Sequence, residues 1–244
     1  DKAILNHYAK ENPAKGIKLI RDEKSDPKVL TVEEQKAFFT CCAGTFYDNA
    51  YIVQVNTGLR PGELFSLRES DIDFIKKTIH VTRTLTYYKF EELGDTKKEF
   101  HFGPPKTKSS IRDIPINKQC EIALKKQILQ KKVVEETTCK EVDPQFADLL
   151  FTTKYNMPLN VQTYVDSIKR IVNEINLTRF PLDYMEPFSG HTFRHTFATR
   201  CFEAGIKPKT VQKFLGHSDL SMTMNLYTHV LESFKVSQMD LLDE

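Results

Sequence analysis

The sequence predicts an α+β domain that is mainly α-helical, with a small antiparallel β-sheet and a β-hairpin insertion. Three observations carry that expectation. Helix-start and helix-stop signals punctuate both flanks of the chain, the middle alternates polar with apolar residues, and 244 residues with 40% hydrophobic side chains can bury a substantial core without disulfides or metals.

Taken in order, residues 1–24 read as a helix end and a linker, since Asn12-Pro13, Gly16 and mixed charges interrupt any long period. The main domain spans 25–244. Its first helix starts at Thr31, whose hydroxyl accepts the amide three residues on while Glu34 reaches back, and it runs to about Ala43. A second helix covers Asp48–Asn56 and stops at Gly58. A third follows Pro61, which has no amide proton to leave unpaired in a first turn. Asp71–Phe74 and Thr78–Thr82 alternate around Lys76-Lys77 as a half-buried hairpin does. The sheet is expected to continue through 83–103, where Leu85, Tyr87, Tyr88, Phe90, Phe100 and Phe102 flank a Gly94-Asp95 turn, to a closing strand over Ile111–Ile116. From Lys118 to Glu136 the period turns helical, with Ile122, Leu129 and Val133 on one face and Leu124 and Ile128 on its neighbour. Further helices are expected at 160–176, 191–204, 208–215, 221–227 and 229–238.

Composition narrows the class. No run approaches the roughly 18 apolar residues of a membrane span, and no apolar leader marks secretion. Five cysteines without C-x-x-C spacing argue against a disulfide framework or a zinc ribbon, and point to reduced thiols in a cytoplasm. The 35 basic and 33 acidic residues nearly cancel. They are unevenly placed, however: residues 76–140 carry fifteen Lys or Arg against eight Asp or Glu, while 218–244 carry five acids and one lysine. A charge run is ordinarily a solvated face.

Four short segments concentrate polar groups that a core does not need. Thr57-Gly58-Leu59-Arg60-Pro61-Gly62-Glu63-Leu64 puts an arginine at a helix start and a glutamate at i+3. Pro104-Pro105-Lys106-Thr107-Lys108 is a lysine-bearing turn. Gly190-His191-Thr192-Phe193-Arg194-His195-Thr196-Phe197 sets His191 and Arg194 on one helix face and the two phenylalanines on another. Leu215-Gly216-His217-Ser218 is followed ten residues after the histidine by Tyr227-Thr228-His229.

In that order the segments resemble the tyrosine recombinase (phage integrase) family, and most of all the integrases of conjugative transposons and prophages. Carried over residue by residue, the resemblance implies a catalytic set of Arg60, Lys106, His191, Arg194, His217 and the nucleophile Tyr227. Lys106 is preferred to Lys108 because it opens the family's K-T-x-x-S-x-R-x-I-P pattern, here Lys106 through Pro115. Two departures are visible: a His217-to-Tyr227 gap one residue longer than in short chromosome-resolving members, and an 83–103 segment longer than a minimal hairpin. The resemblance further implies that residues 1–24 end an upstream core-DNA-binding domain, and that no metal, cofactor or ATP is needed.

The residue types fit such chemistry. A tyrosine oxygen attacking a phosphodiester leaves a 3′-phosphotyrosine and a free 5′ hydroxyl, which conserves the bond for rejoining. Arg60 and Arg194 would hold the non-bridging oxygens, Lys106 would protonate the leaving 5′ oxygen, His191 and His217 would exchange protons near the phosphate, and Glu63 would orient Arg60. His191 and His195 also have the i, i+4 spacing of a zinc helix, but Thr192, Phe193 and Arg194 lie between them and no glutamate is available as base. His195 and His229 read instead as packing or hydrogen-bonding residues. Cations of the basic middle, among them Lys76, Lys77, Arg83, Lys108 and Arg112, are expected to face phosphates of double-stranded DNA. The tail from 229 to 244 is acidic with Val230, Leu231, Phe234, Met239, Leu241 and Leu242 interspersed. It suits docking on another protomer of a DNA-bound tetramer, as the resemblance implies, or packing within its own chain. Integration or excision of a mobile element is the leading expectation. A resolvase for chromosome or plasmid dimers, or a DNA-binding protein of the same fold that does not cleave, are the alternatives.

Overall fold

The computed structural model describes residues 2–6, 8, 10–12, 27–89, 97–105, 108–139, 141–224 and 226. Lys106, Tyr227, His229, the Gly94-Asp95 turn and the expected 229–238 helix lie outside the described residues. After a single turn α1 (Lys2–Leu5), the chain forms α2 (Val32–Cys42), α3 (Asp48–Thr57) and α4 (Pro61–Phe65). Five short strands follow: β1 (Ile72–Asp73), β2 (Thr78–Val81), β3 (Thr84–Tyr88), β4 (Glu99–Gly103) and β5 (Arg112–Pro115). Helices α5 (Lys118–Thr137), α6 (Val161–Asn176), α7 (Gly190–Glu203) and α8 (Pro208–Leu215) complete the fold, with one further turn over 221–224. None of the described helices is long and apolar enough to cross a membrane.

The reciprocal cap that opens α2 is formed, with the Glu34 amide donating to Thr31 Oγ1 at 3.1 Å and the Thr31 amide to Glu34 Oε2 at 2.9 Å. The strands depart from the single continuous sheet that the sequence suggests. They form two sheets, β1-β2-β5 and β3-β4, all antiparallel. Arg83 explains part of the break: its guanidinium clamps Asp71 at 2.6 and 2.9 Å, while its carbonyl accepts from Ser66 Oγ at 3.0 Å. The chain is thereby turned away after β2, and β5 takes the vacant place, pairing Ile79 with Ile114 and Val81 with Arg112.

The buried face of α5 is also not the one expected. Ile122, Leu129 and Val133 are exposed, whereas Cys120, Leu124, Gln127, Lys131 and Val134 are buried. The polar members of that stripe are satisfied inside: Gln127 Nε2 donates to the Leu150 carbonyl at 2.9 Å, and Lys131 Nζ reaches Asn156 Oδ1 and Glu135.

The core centres on aromatic rings. Phe193 of α7 meets Phe38 at 5.4 Å, Phe188 at 5.2 Å and Tyr51 at 5.8 Å between ring centroids, and Tyr164 of α6 meets Tyr51 and Phe65. Such packing fixes the rotation of α7 about its axis, and with it the direction of the next residue, Arg194. A smaller cluster of Ala198, Cys201, Phe202, Val211, Leu215 and Leu226 joins α7 to α8 and anchors the residue before Tyr227.

Candidate active site

Helix α3 ends where the site begins. Its cap Gly58 has φ +65°, and its amide donates to the Gln54 carbonyl at 2.9 Å. A side chain there would pay twice: left-handed backbone disfavours a Cβ, and one would come within 2.5 Å of the Phe197 ring and 2.8 Å of Leu215. The fully buried Gln54 then uses its amide to hold the Leu59 carbonyl at 3.0 Å and receives Tyr164 Oη at 2.8 Å. These ties present Arg60 at the N-cap of α4.

Glu63 lies one turn on, with 2% of its side chain exposed. Its two oxygens receive four bonds from two arginines. Arg60 Nη1 donates at 2.8 Å and the Arg60 amide at 2.9 Å. Arg112 Nη1 and Nη2 donate at 3.1 and 3.0 Å. Burial alone would raise the Glu63 carboxyl; the hydrogen bonds and charge of Arg112, then those of Arg60, outweigh it and hold the group below its ordinary value.

A third guanidinium has no carboxylate of its own. Arg194, 4% exposed, donates from Nη1 to the Gly58 carbonyl at 2.7 Å and from Nη2 to the Leu215 carbonyl at 2.6 Å. Burial, then the charge of Arg60, pushes it down to about 9, so it stays cationic at neutral pH. Guanidinium carries five N–H donors, and these two bonds leave donors over. Among the described residues, the three arginines of this cluster thus share one buried carboxylate.

The histidines respond to that excess. His217 follows Gly216, the left-handed cap of α8 at φ +64°, and its Nδ1 lies 2.8 Å from Oγ1 of the fully buried Thr223. Burial, then Arg194, Arg60 and Arg112, push its ring down to about 4. His191, in the first turn of α7, keeps an edge in solvent, yet the desolvation of its ring on the protein side, then the charges of Arg194 and Arg60, lower it. His195 also falls to about 4, through burial, His191 and Arg194, and its buried Nδ1 has no hydrogen-bond partner among the described residues. Neutral rings beside cations are suited to accept a proton once an anion arrives.

Of the residues singled out from the sequence, the structure brings Arg60, Glu63, His191, Arg194 and His217 together. Only the backbone of Lys108 is described, in a short 3-10 turn. Lys76 and Lys77 are exposed at the β1–β2 turn beside Asp73 and Glu121. Two expectations need correcting. Arg112 does not face solvent: its side chain is 6% exposed, and beyond Glu63 it holds the Phe214 carbonyl through Nε at 2.6 Å and the Ser110 carbonyl at 2.9 Å. Arg83 is likewise committed, to Asp71. Sequence reasoning passed over Gln54 and Thr223 as well. Arg112 had a signal, since strand alternation puts it on the same face as Ile114 and Ile116, both buried.

Residues 28–233 match the phage integrase family. The chain belongs to that family. It is 31% identical over 254 residues to a tyrosine recombinase XerC-like protein of Caldanaerobacter subterraneus, covering 99% of this chain and 62% of that protein. The transposase from transposon Tn916 of Enterococcus faecalis is 28% identical, with 99% and 58% covered. The chain therefore spans about three fifths of the length of these curated relatives. Among solved structures, the Tn1549 transposon integrase in complex with transposon right end DNA superposes with a TM-score of 0.77 at 26% identity, over 100% of this chain and 75% of that one. The mainly helical architecture with small antiparallel sheets is thus the catalytic fold of phage integrases.

Proposed function

We propose that the chain is the catalytic part of an integrase that inserts and excises a mobile element, cutting and rejoining double-stranded DNA through a 3′-phosphotyrosyl intermediate. The observation that carries this reading is the cluster of Arg60, Arg112 and Arg194 with, among the described residues, the one carboxylate of Glu63, which leaves a pocket in want of an anion. A phosphodiester supplies it. Arg60 and Arg194 hold the non-bridging oxygens, and planar donors fixed before the reaction stabilise the extra charge of the pentavalent transition state.

In the step itself the Tyr227 oxygen bonds to phosphorus, the bond from phosphorus to the 5′ oxygen breaks, and the departing electron pair takes a proton from Lys106. His217 and His191 accept and return protons at the tyrosine and the phosphate. Reversal by a 5′ hydroxyl of another strand completes the exchange, with no call on metal or ATP. Lys76, Lys77 and Lys108 are phosphate contacts away from the reacting centre. The reaction takes place in a bacterial cytoplasm. Protomers join through the tail. A groove of about 840 Å³ among α2, α3, α5 and α7, lined by Phe39, Ile52, Ile122 and Phe197 with Lys126 at hand, suits the apolar and acidic residues of 229–244 from a neighbouring copy.

A nicked duplex carrying the end of the element, incubated with the full-length protein, tests the reading. The wild type accumulates a covalent, protease-sensitive adduct, and Tyr227→Phe accumulates none. An adduct that survives the substitution sinks the nucleophile assignment; no adduct with wild type sinks the recombinase.

A further inference from the structure

We propose that Arg112 is a positioning residue for strand cleavage: it ties Ser109-Ser110, which follow the lysine-bearing segment, to Glu63 and to the end of α8. Its guanidinium joins three pieces of chain that are far apart in sequence. Nη1 and Nη2 grip Glu63 of α4, Nε holds the Phe214 carbonyl near the end of α8, and Nη1 also holds the Ser110 carbonyl at the exit of the turn. Close packing supports the same junction independently. A Cβ at Gly216 would come within 3.0 Å of both Arg112 Cδ and the Ser109 carbonyl, so the α8 cap, the arginine stem and the turn press on one another.

The three pieces do not depend on Arg112 equally. Arg60 keeps its own two bonds to Glu63, and the end of α8 keeps Arg194 on the Leu215 carbonyl. Strand β5 is fixed in its sheet by β2, and besides a long 3.5 Å contact from Arg60 Nη1 to Ser110 Oγ, the residues just before it are tied to α4 through Arg112, which holds the Ser110 carbonyl and Glu63 together. Loosening Arg112 therefore moves the turn first. Lysine is a poor substitute despite its charge, because one ammonium on a flexible stem cannot reproduce a planar fork with a separate Nε donor.

The consequence falls on one proton. In cleavage, the electron pair of the breaking bond to the 5′ oxygen takes a proton from the lysine of the turn. With sulfur in that bridging position the group leaves as a thiolate, and no proton is needed. A misplaced turn thus slows the oxygen substrate and spares the sulfur one, whereas general loosening of the core slows both.

The inference rests on the recombinase reading, and single-turnover cleavage by the full-length protein separates the two. The duplexes carry the element's end with oxygen or sulfur at the bridging 5′ position. Arg112→Lys is expected to cleave the oxygen substrate roughly 30-fold more slowly than wild type and the sulfur substrate within about threefold, with duplex affinity unchanged. Equal losses on both substrates, or none on oxygen, overturn the proposal. Arg112→Gln is read by the same ratio, so poor folding of one variant decides nothing. Lys106→Ala should be rescued by sulfur; if it is not, Lys106 loses its role, while the Arg112 ratio still reports on the turn as a whole. No cleavage by wild type fails the recombinase reading and this one with it.

Discussion

Asp71 and Glu63 are both acids that receive arginine, and the contrast between them separates architecture from chemistry. At the sheet, Asp71 meets the one guanidinium of Arg83 in a bidentate pair, with 10% and 23% of the side chains exposed. The charges balance and the pair pins a chain reversal. At the site, Glu63 meets Arg60 and Arg112 together while Arg194, among the described residues, rests on two carbonyls. Positive charge is buried there in excess, at a cost to stability that a merely structural cluster has no reason to carry. An imbalance of buried charge is the mark of a binding site, and a balanced pair is the mark of a staple.

Substitution of the two acids breaks the comparison most sharply. Glu63→Ala leaves the buried Arg112 and the partly exposed Arg60 without their carboxylate, and is expected to lower stability by about 3–5 kcal/mol. Chemical denaturation measures the loss, and cleavage of the nicked duplex should fall with it. A Glu63→Ala protein as stable as wild type would mean that the arginines find other partners.

Acid titration comes next. His195 and His217 sit at about 4 in the folded protein against about 6.5 unfolded, so the native state favours their neutral forms. Their contribution is fully present above pH 6.5 and is lost as pH falls toward 4, by about 1.4 kcal/mol per pH unit for each ring. Denaturation midpoints between pH 7 and 4 should trace that slope, and His217→Gln should reduce it. An unchanged slope refutes the link. The smallest effect belongs to the sheet: Asp71→Ala should cost about 1–2 kcal/mol of stability, with cleavage by the folded protein within about threefold of wild type.

Much of this was legible in the residues themselves. Punctuation by Thr31, Gly58 and Pro61 located helix ends to within a residue or two, because cap chemistry is local. What local signals could not supply was the partner across the fold. Counting apolar residues on α5 selected Ile122, Leu129 and Val133, since the buried stripe includes Gln127 and Lys131, whose acceptors Leu150 and Asn156 lie more than twenty residues on. The same limit hid Arg112: a cation in a basic stretch was assigned to DNA, although its alternation with Ile114 already placed it inside. Motif order gathered Arg60, His191, Arg194 and His217, but not the atoms that hold them.

The end of α8 has a further consequence. Two successive carbonyls there, of Phe214 and Leu215, accept from Arg112 and Arg194, so the negative pole of a helix dipole serves as part of the counter-charge. A dipole has no proton to gain and offers no carboxylate for a stray divalent ion to bind. The pocket thus meets part of its counter-charge with a group that acidity does not titrate, and leaves the rest to Glu63.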